Sequence, residues 1–273
     1  MPSIGDIALT TAPYVIGFLV ALGGFFVFSL GKQKKLFNFL GLDKKSKQVV
    51  VYLSSLLVPR GTATGFDRLP RSYQGPAIPI GELSISSRLA KALTIDAFEY
   101  IPPVVRKSLQ EKYTFFRPLT VRIDASPMQN GDIDFSTCSI ITVGSQAYNI
   151  VTNYCITENL VQLQITQNGT VIEIVKGKDK GVVIKKASDQ HDIAILEKFI
   201  DHTRNNSTII IAAGLGVLGT IGAVQYLIDH WRDLDKTYGN REFALILQFG
   251  PANKGSYDDI LKSGSVIRRI PEQ

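Results

Sequence analysis

The sequence predicts an α/β protein: an amino-terminal transmembrane helix, then a cytoplasmic three-layer domain with a mostly parallel sheet and an added β-hairpin. Three observations carry that expectation. Residues 13–31, PYVIGFLVALGGFFVFSLG, hold no ionisable group apart from Tyr14. Beyond residue 48, short apolar runs alternate with stretches of helical spacing. Two of those runs, CSIITV and STIIIAA, end in a glycine turn that leads into a helical stretch.

The run 13–31 is long enough to cross a bilayer core, which asks for roughly 17 to 25 apolar residues. Phe and Leu occupy every face of it, as in a lipid-exposed helix. A secretory signal carries its basic residues before the apolar run, whereas here Asp6 precedes it and lysines follow. By the positive-inside rule residues 1–12 face outward and everything beyond residue 32 stays in the cytoplasm. Gly17, Gly23 and Gly24 permit close approach of two spans, and so a homo-oligomer, although no pair has strict GxxxG spacing.

Charge locates the next segment. The chain of 273 residues carries a net +6, and Lys32, Lys34, Lys35, Lys44, Lys45 and Lys47 against Asp43 place +5 of it within residues 32–47. Once Asp6 is counted, about +2 is left for residues 48–273. A nearly neutral domain is a poor fit to nucleic acid, which demands a basic surface. Two readings of 32–47 stay open: a short helix whose Leu36, Phe37, Phe39, Leu40 and Leu42 lie on an anionic leaflet, or a topology signal and tether.

The elements of 48–273 follow in order. QVVVYLSSLLV (48–58) reads as a buried strand, and the Gly/Pro-dense stretch after it as a long ordered loop. ELSISSRLAKALTIDAFEY has helical spacing, and Pro103 opens a second helix, VVRKSLQEKY. LTVRIDAS (119–126) alternates as a strand. CSIITV is a strand, Gly144-Ser145 its turn, and a helix follows from Ala147. Asn168-Gly169 between alternating runs marks a hairpin, with GVVIKKA adding a strand. DQHDIAILEKFIDHTRN has helical spacing of Ile193, Leu196, Phe199 and Ile200. A strand over 208–213, a glycine turn, a helix over 219–236 stopped by Gly239, the core strand FALILQFG and an edge strand SGSVIRRI complete the chain. Cys138 and Cys155 lack CxxC spacing and read as reduced thiols.

Gly214, Gly216 and Gly219 have the GxGxxG spacing of a dinucleotide-binding turn, between a strand and a helix. In such a turn the glycines let backbone approach a pyrophosphate, which sits on the free amides of the helix start. NAD is disfavoured, because the following strand ends Leu247-Gln248-Phe249-Gly250 with no acid to hold a ribose. A turn without any ligand is the competing reading. The Gly144 loop supplies a second polar rim. If the two strands are neighbours, Gly214, Gly216, Gly219 and Thr220 would hold anionic oxygens while Gly144, Ser145, Gln146 and Asn149 hydrogen-bond a sugar or base edge.

The pattern over residues 119–250 resembles the Rossmann-like group that includes SLOG-type sensors and nucleoside deoxyribosyltransferases. The chain is also similar to uncharacterised bacterial membrane-anchored proteins. The first resemblance implies a Rossmann-like fold and a nucleotide-type ligand.

Enzyme motifs are few. There is no phosphate-binding GxxxxGK[ST] loop, no HExxH and no GxSxG. Among His191, His202 and His230, the first two are eleven apart and near one helical face, which would set two ligands on one side; solvated helix histidines are the commoner case, and no metal site is expected. Glu82 and Asp67, in or beside the Gly/Pro loop, are the carboxylates able to attack an N-glycosidic bond, and Arg60, Arg68 and Arg71 share that loop. For Glu82 the plain alternative is a helix-start residue. Three functions result: a membrane-anchored nucleotide sensor, a nucleotide- or nucleoside-cleaving enzyme, and a ligand-free interaction module.

Overall fold

The computed structural model describes residues 33–42, 48–55, 78–94, 119–127, 132–136, 139–166, 169–188, 191–250 and 257–270, with residues 17, 24, 31 and 107. The expected span 13–31 (save Gly17, Gly24 and Gly31), the loop with Asp67, Arg60, Arg68 and Arg71, and Cys138 lie outside the described residues, as does the helix over 104–113 except Lys107. Among the described residues no helix is long and apolar enough to cross a membrane.

Ten strands and five helices are described. The strands are β1 (Gln48–Leu53), β2 (Thr120–Ala125), β3 (Ser139–Val143), β4 (Leu163–Thr166), β5 (Val171–Ile174), β6 (Val183–Lys185), β7 (Asp192–Asp201), β8 (Ser207–Gly214), β9 (Phe243–Phe249) and β10 (Ser265–Ile270). The helices are α1 (33–39), α2 (Ile80–Leu93), α3 (Ile150–Thr157), α4 (Val217–Tyr238) and α5 (Tyr257–Lys262). Seven strands form one sheet in the order β10-β9-β7-β8-β3-β1-β2. β2, β1, β3 and β8 pair in parallel, while β7 is antiparallel to both β8 and β9, and β10 is antiparallel to β9. Most strands therefore point one way, but the sheet is mixed: parallel around β1, antiparallel around β7.

β7 corrects the helix expected over 190–204. Nine of its ten residues are buried, so both of its faces carry apolar groups and the period-2 signal vanishes. Ile193, Leu196, Phe199 and Ile200 then fit helical spacing by coincidence. The hairpin at Gly169 forms as expected, with Thr166 opposite Val171, and β6 extends it into a separate three-stranded sheet.

Alternation along β1 divides the core. Val49, Val51 and Leu53 face α1, α2 and α4; Val50 and Tyr52 face α3 and the small sheet. The second face is thus covered by one short helix and β4–β6 in place of a full helical layer. Glu197, fully buried in β7, accepts hydrogen bonds from the backbone of Gln162 and Leu163 and so pins β4 to the main sheet. Burial pushes its carboxyl up to about 8.

α1 joins the first face. Leu36, Phe39 and Leu40 are almost fully buried, with Phe39 against Trp231 and Phe243, and the Lys198 ammonium 4.8 Å above its ring. Burying a side chain such as Phe39 contributes about 1.5–3 kcal/mol. The apolar side of this segment therefore rests on the domain, while Lys34 and Lys35 are exposed.

Candidate functional site

The parallel ladder sets the carboxyl ends of β1, β3 and β8 side by side. Val143 pairs with Ala212, and the Gly144 amide donates to the Ala212 carbonyl at 3.0 Å, so the two glycine turns are neighbours on one rim. Their helices diverge. α2, after β1, and α4, after β8, cover the first face, whereas α3, after β3, covers the second. Where neighbouring connections leave toward opposite faces, a crevice opens at the strand ends, the usual ligand position in open α/β sheets.

The turn after β8 is filled by the chain itself. Asp192, the first residue of β7, places Oδ2 2.7 Å from the Gly219 amide and accepts its hydrogen. Lys186 pairs with the other carboxylate oxygen at 3.0 Å. A Cβ at Gly216 would lie 2.6 Å from Asp192 Oδ2, and one at Gly219 would lie 2.8 Å from the Ile193 carbonyl oxygen. A Cβ at Gly214 would lie 2.7 Å from the Gly216 carbonyl oxygen. The Thr220 hydroxyl accepts from the Gly214 amide at 3.0 Å and donates to the Gly216 carbonyl at 3.2 Å. Gly214, Gly216, Gly219 and Thr220 are thus committed to a tight strand-to-helix turn. Asp192, with Lys186 beside it, occupies the space over the helix start.

The turn after β3 is braced from beneath. Gly144 has φ +112°, and a Cβ there would collide with the Ser54 hydroxyl. Ser54, at the end of β1, donates its amide (2.9 Å) and its hydroxyl (3.0 Å) to the two carboxylate oxygens of Glu82. Glu82 is only 7% exposed, and burial holds its carboxyl above the usual range. Both of its oxygens are used on β1, so it acts as a brace for the rim and not as a free nucleophile. Pro79, not Glu82, stands at the cap position of α2.

Asn149 is likewise spent. Its Oδ1 accepts from the amides of Val151 (3.0 Å) and Thr152 (3.4 Å), capping α3. Its Nδ2 donates to the carbonyls of Val143 (2.9 Å) and Tyr52 (3.0 Å), tying β3 to β1. Ser126, beyond β2, accepts the Ile150 amide at 2.8 Å. The Ser145 carbonyl accepts from Tyr148 and Asn149. Gln146 donates through Nε2 to the Ile165 carbonyl, leaving Oε1 without a partner.

Above these anchors lies a cleft of about 230 Å³. Ser55, Ser126, Pro127, residues 146–150 and Asn153 line it. Tyr148 is 55% exposed there. None of these side chains is charged. Of the residues expected to share a composite pocket, Gln146 and Asn149 line this cleft, while Gly144, Ser145 and the four residues of the β8 turn do not. A larger hollow of about 320 Å³ is lined only by Val266–Arg269, the flank of edge strand β10, and brings no groups together from different elements.

No protein-family model, curated protein or solved structure matches the chain. The site is read from its own chemistry.

Among the described residues no group of three His, Cys, Asp or Glu could hold a metal ion. His191 pairs with Ser188 and His202 with Asn206, both exposed. Three residues that sequence reasoning missed, Ser54, Ser126 and Asp192, do the structural work at the rim. Only Ser126 carried a signal, as the last residue of an alternating run before Pro127.

Proposed function

We propose that this protein is a single-span membrane protein whose cytoplasmic α/β domain binds a nucleotide-type small molecule, for sensing or regulation. The observation that carries this reading is the cleft at the β1–β3 crevice, a polar, uncharged hollow with an exposed aromatic ring. Clefts that bind small molecules combine a few fixed polar groups with apolar and aromatic walls. Binding without turnover is favoured because Glu82 is consumed by Ser54. The membrane part of the proposal rests on the apolar run 13–31 and the lysines behind it.

The geometry gives the arrangement a direction. Gly41, just past α1, packs on Thr208 at the amino end of β8, whereas the cleft lies at the carboxyl ends of β1 and β3. With α1 following the span, the cleft would open away from the bilayer, accessible to a diffusing cytoplasmic ligand.

The test is a thermal-shift screen of the full chain in mild detergent against nucleosides and nucleotides. At least one is expected to raise Tm, by mass action on the folded state. If none does, the sensor reading fails and the interaction module takes its place.

A further inference from the structure

A phosphate needs cationic side chains or unoccupied backbone amides, and no charged side chain lines the cleft. The first amides of α3 are taken: Ile150 by Ser126, and Val151 and Thr152 by Asn149. At α4 the Gly219 amide is held by Asp192, which is itself paired with Lys186. The cleft itself is lined by hydroxyl, amide, proline and aromatic groups. We infer that the cleft takes the uncharged end of its ligand, so that the bound molecule is a nucleoside or free base carrying no phosphate. This rests on the proposed function and narrows it.

Size agrees. At about 230 Å³ the cleft falls below the roughly 300–1,000 Å³ of drug-sized sites, too small for a dinucleotide. The lining also supplies what a base requires. Tyr148, more than half exposed on the turn, offers a ring face for stacking. Gln146 turns its amide inward, with Nε2 on the Ile165 carbonyl and Oε1 out of contact with solvent, so it shapes the cleft without offering a hydrogen bond. Ser55 and Asn153 share the lining, where a ribose would meet hydroxyl and amide groups.

The experiment is calorimetric titration of the full chain in mild detergent with adenosine, guanosine, cytidine and uridine, their 5′-monophosphates, ribose and inorganic phosphate. At least one nucleoside is expected to bind, with its monophosphate roughly tenfold weaker or worse and neither ribose nor phosphate binding alone. Tyr148→Ala is expected to weaken that nucleoside roughly tenfold, the scale of one lost base-stacking contact, with Tm in the absence of ligand unchanged. A monophosphate that binds more tightly than its nucleoside overturns the inference while leaving the proposed function standing, and so does ribose binding as well as a nucleoside. Silence from every compound overturns both.

Discussion

β3 and β8 lie side by side in parallel, and each ends in a glycine, a short bend and a helix. The turn after β8 has the better-known spacing and is the closed one. A carboxylate from β7 fills its helix start and crowds Gly216, while backbone atoms crowd Gly214 and Gly219. The turn after β3 has one glycine and a helix of only eight residues, yet it borders the open cleft. Its helix leaves toward the other face of the sheet. The spacing of glycines fixes how closely a chain can bend. What occupies the space above the bend is decided by side chains from elsewhere.

The largest expected effect tests the closure of the β8 turn. In Gly214→Val the new Cβ would press on the backbone of Gly216 and Gly219, at 2.7 and 2.5 Å, neither of which can yield alone. A loss of about 3 kcal/mol or more is expected in chemical denaturation, as for severe overpacking. A variant as stable as the parent would show that the turn is loose enough to admit a ligand.

A smaller effect sharpens the contrast. Asp192→Ala removes the carboxylate that caps α4 and should cost about 1–2 kcal/mol. It should also uncover the amide it occupied, so that phosphate raises the Tm of the variant by more than it raises that of the parent. Equal responses would mean that Asp192 is not what keeps anions out.

Glu82, the brace of the other turn, gives the smallest effect. Burial lifts its folded pKa above its ordinary 4.5. The unfolded chain therefore releases this proton first as pH rises. Stability from this group is fully present below the unfolded pKa and is lost as pH climbs through the folded one. Glu82→Gln should remove that declining limb from a series of denaturation curves. An unchanged pH profile would show that the two hydrogen bonds from Ser54, which favour the charged carboxylate, offset its burial in full.

Much of the fold was legible one element at a time. Asn168-Gly169 announced the hairpin, Gly239 stopped α4 at a φ of +56°, and the alternation in residues 119–126 gave β2. The neighbouring position of the two turns was also anticipated. β7 was not, because a strand buried on both faces loses the alternation that identifies it. Nor was the role of α1, whose Leu36, Phe39 and Leu40 have the composition of a leaflet-bound helix and instead pack on Trp231 and Phe243, nearly two hundred residues away. At the site, Asn149 was picked out as a ligand contact for its amide, but both ends of that amide are used within the fold.

Local sequence determined where the backbone bends, which runs become strands and where charge collects, since those properties depend on residues within a turn or two of each other. Tertiary structure alone decided which bend is sealed and which stands beside open space. Asp192 reaches Gly219, and Ser54 reaches Glu82, across 27 and 28 positions of chain. Pairings at such range exist only once the sheet has set its strand order.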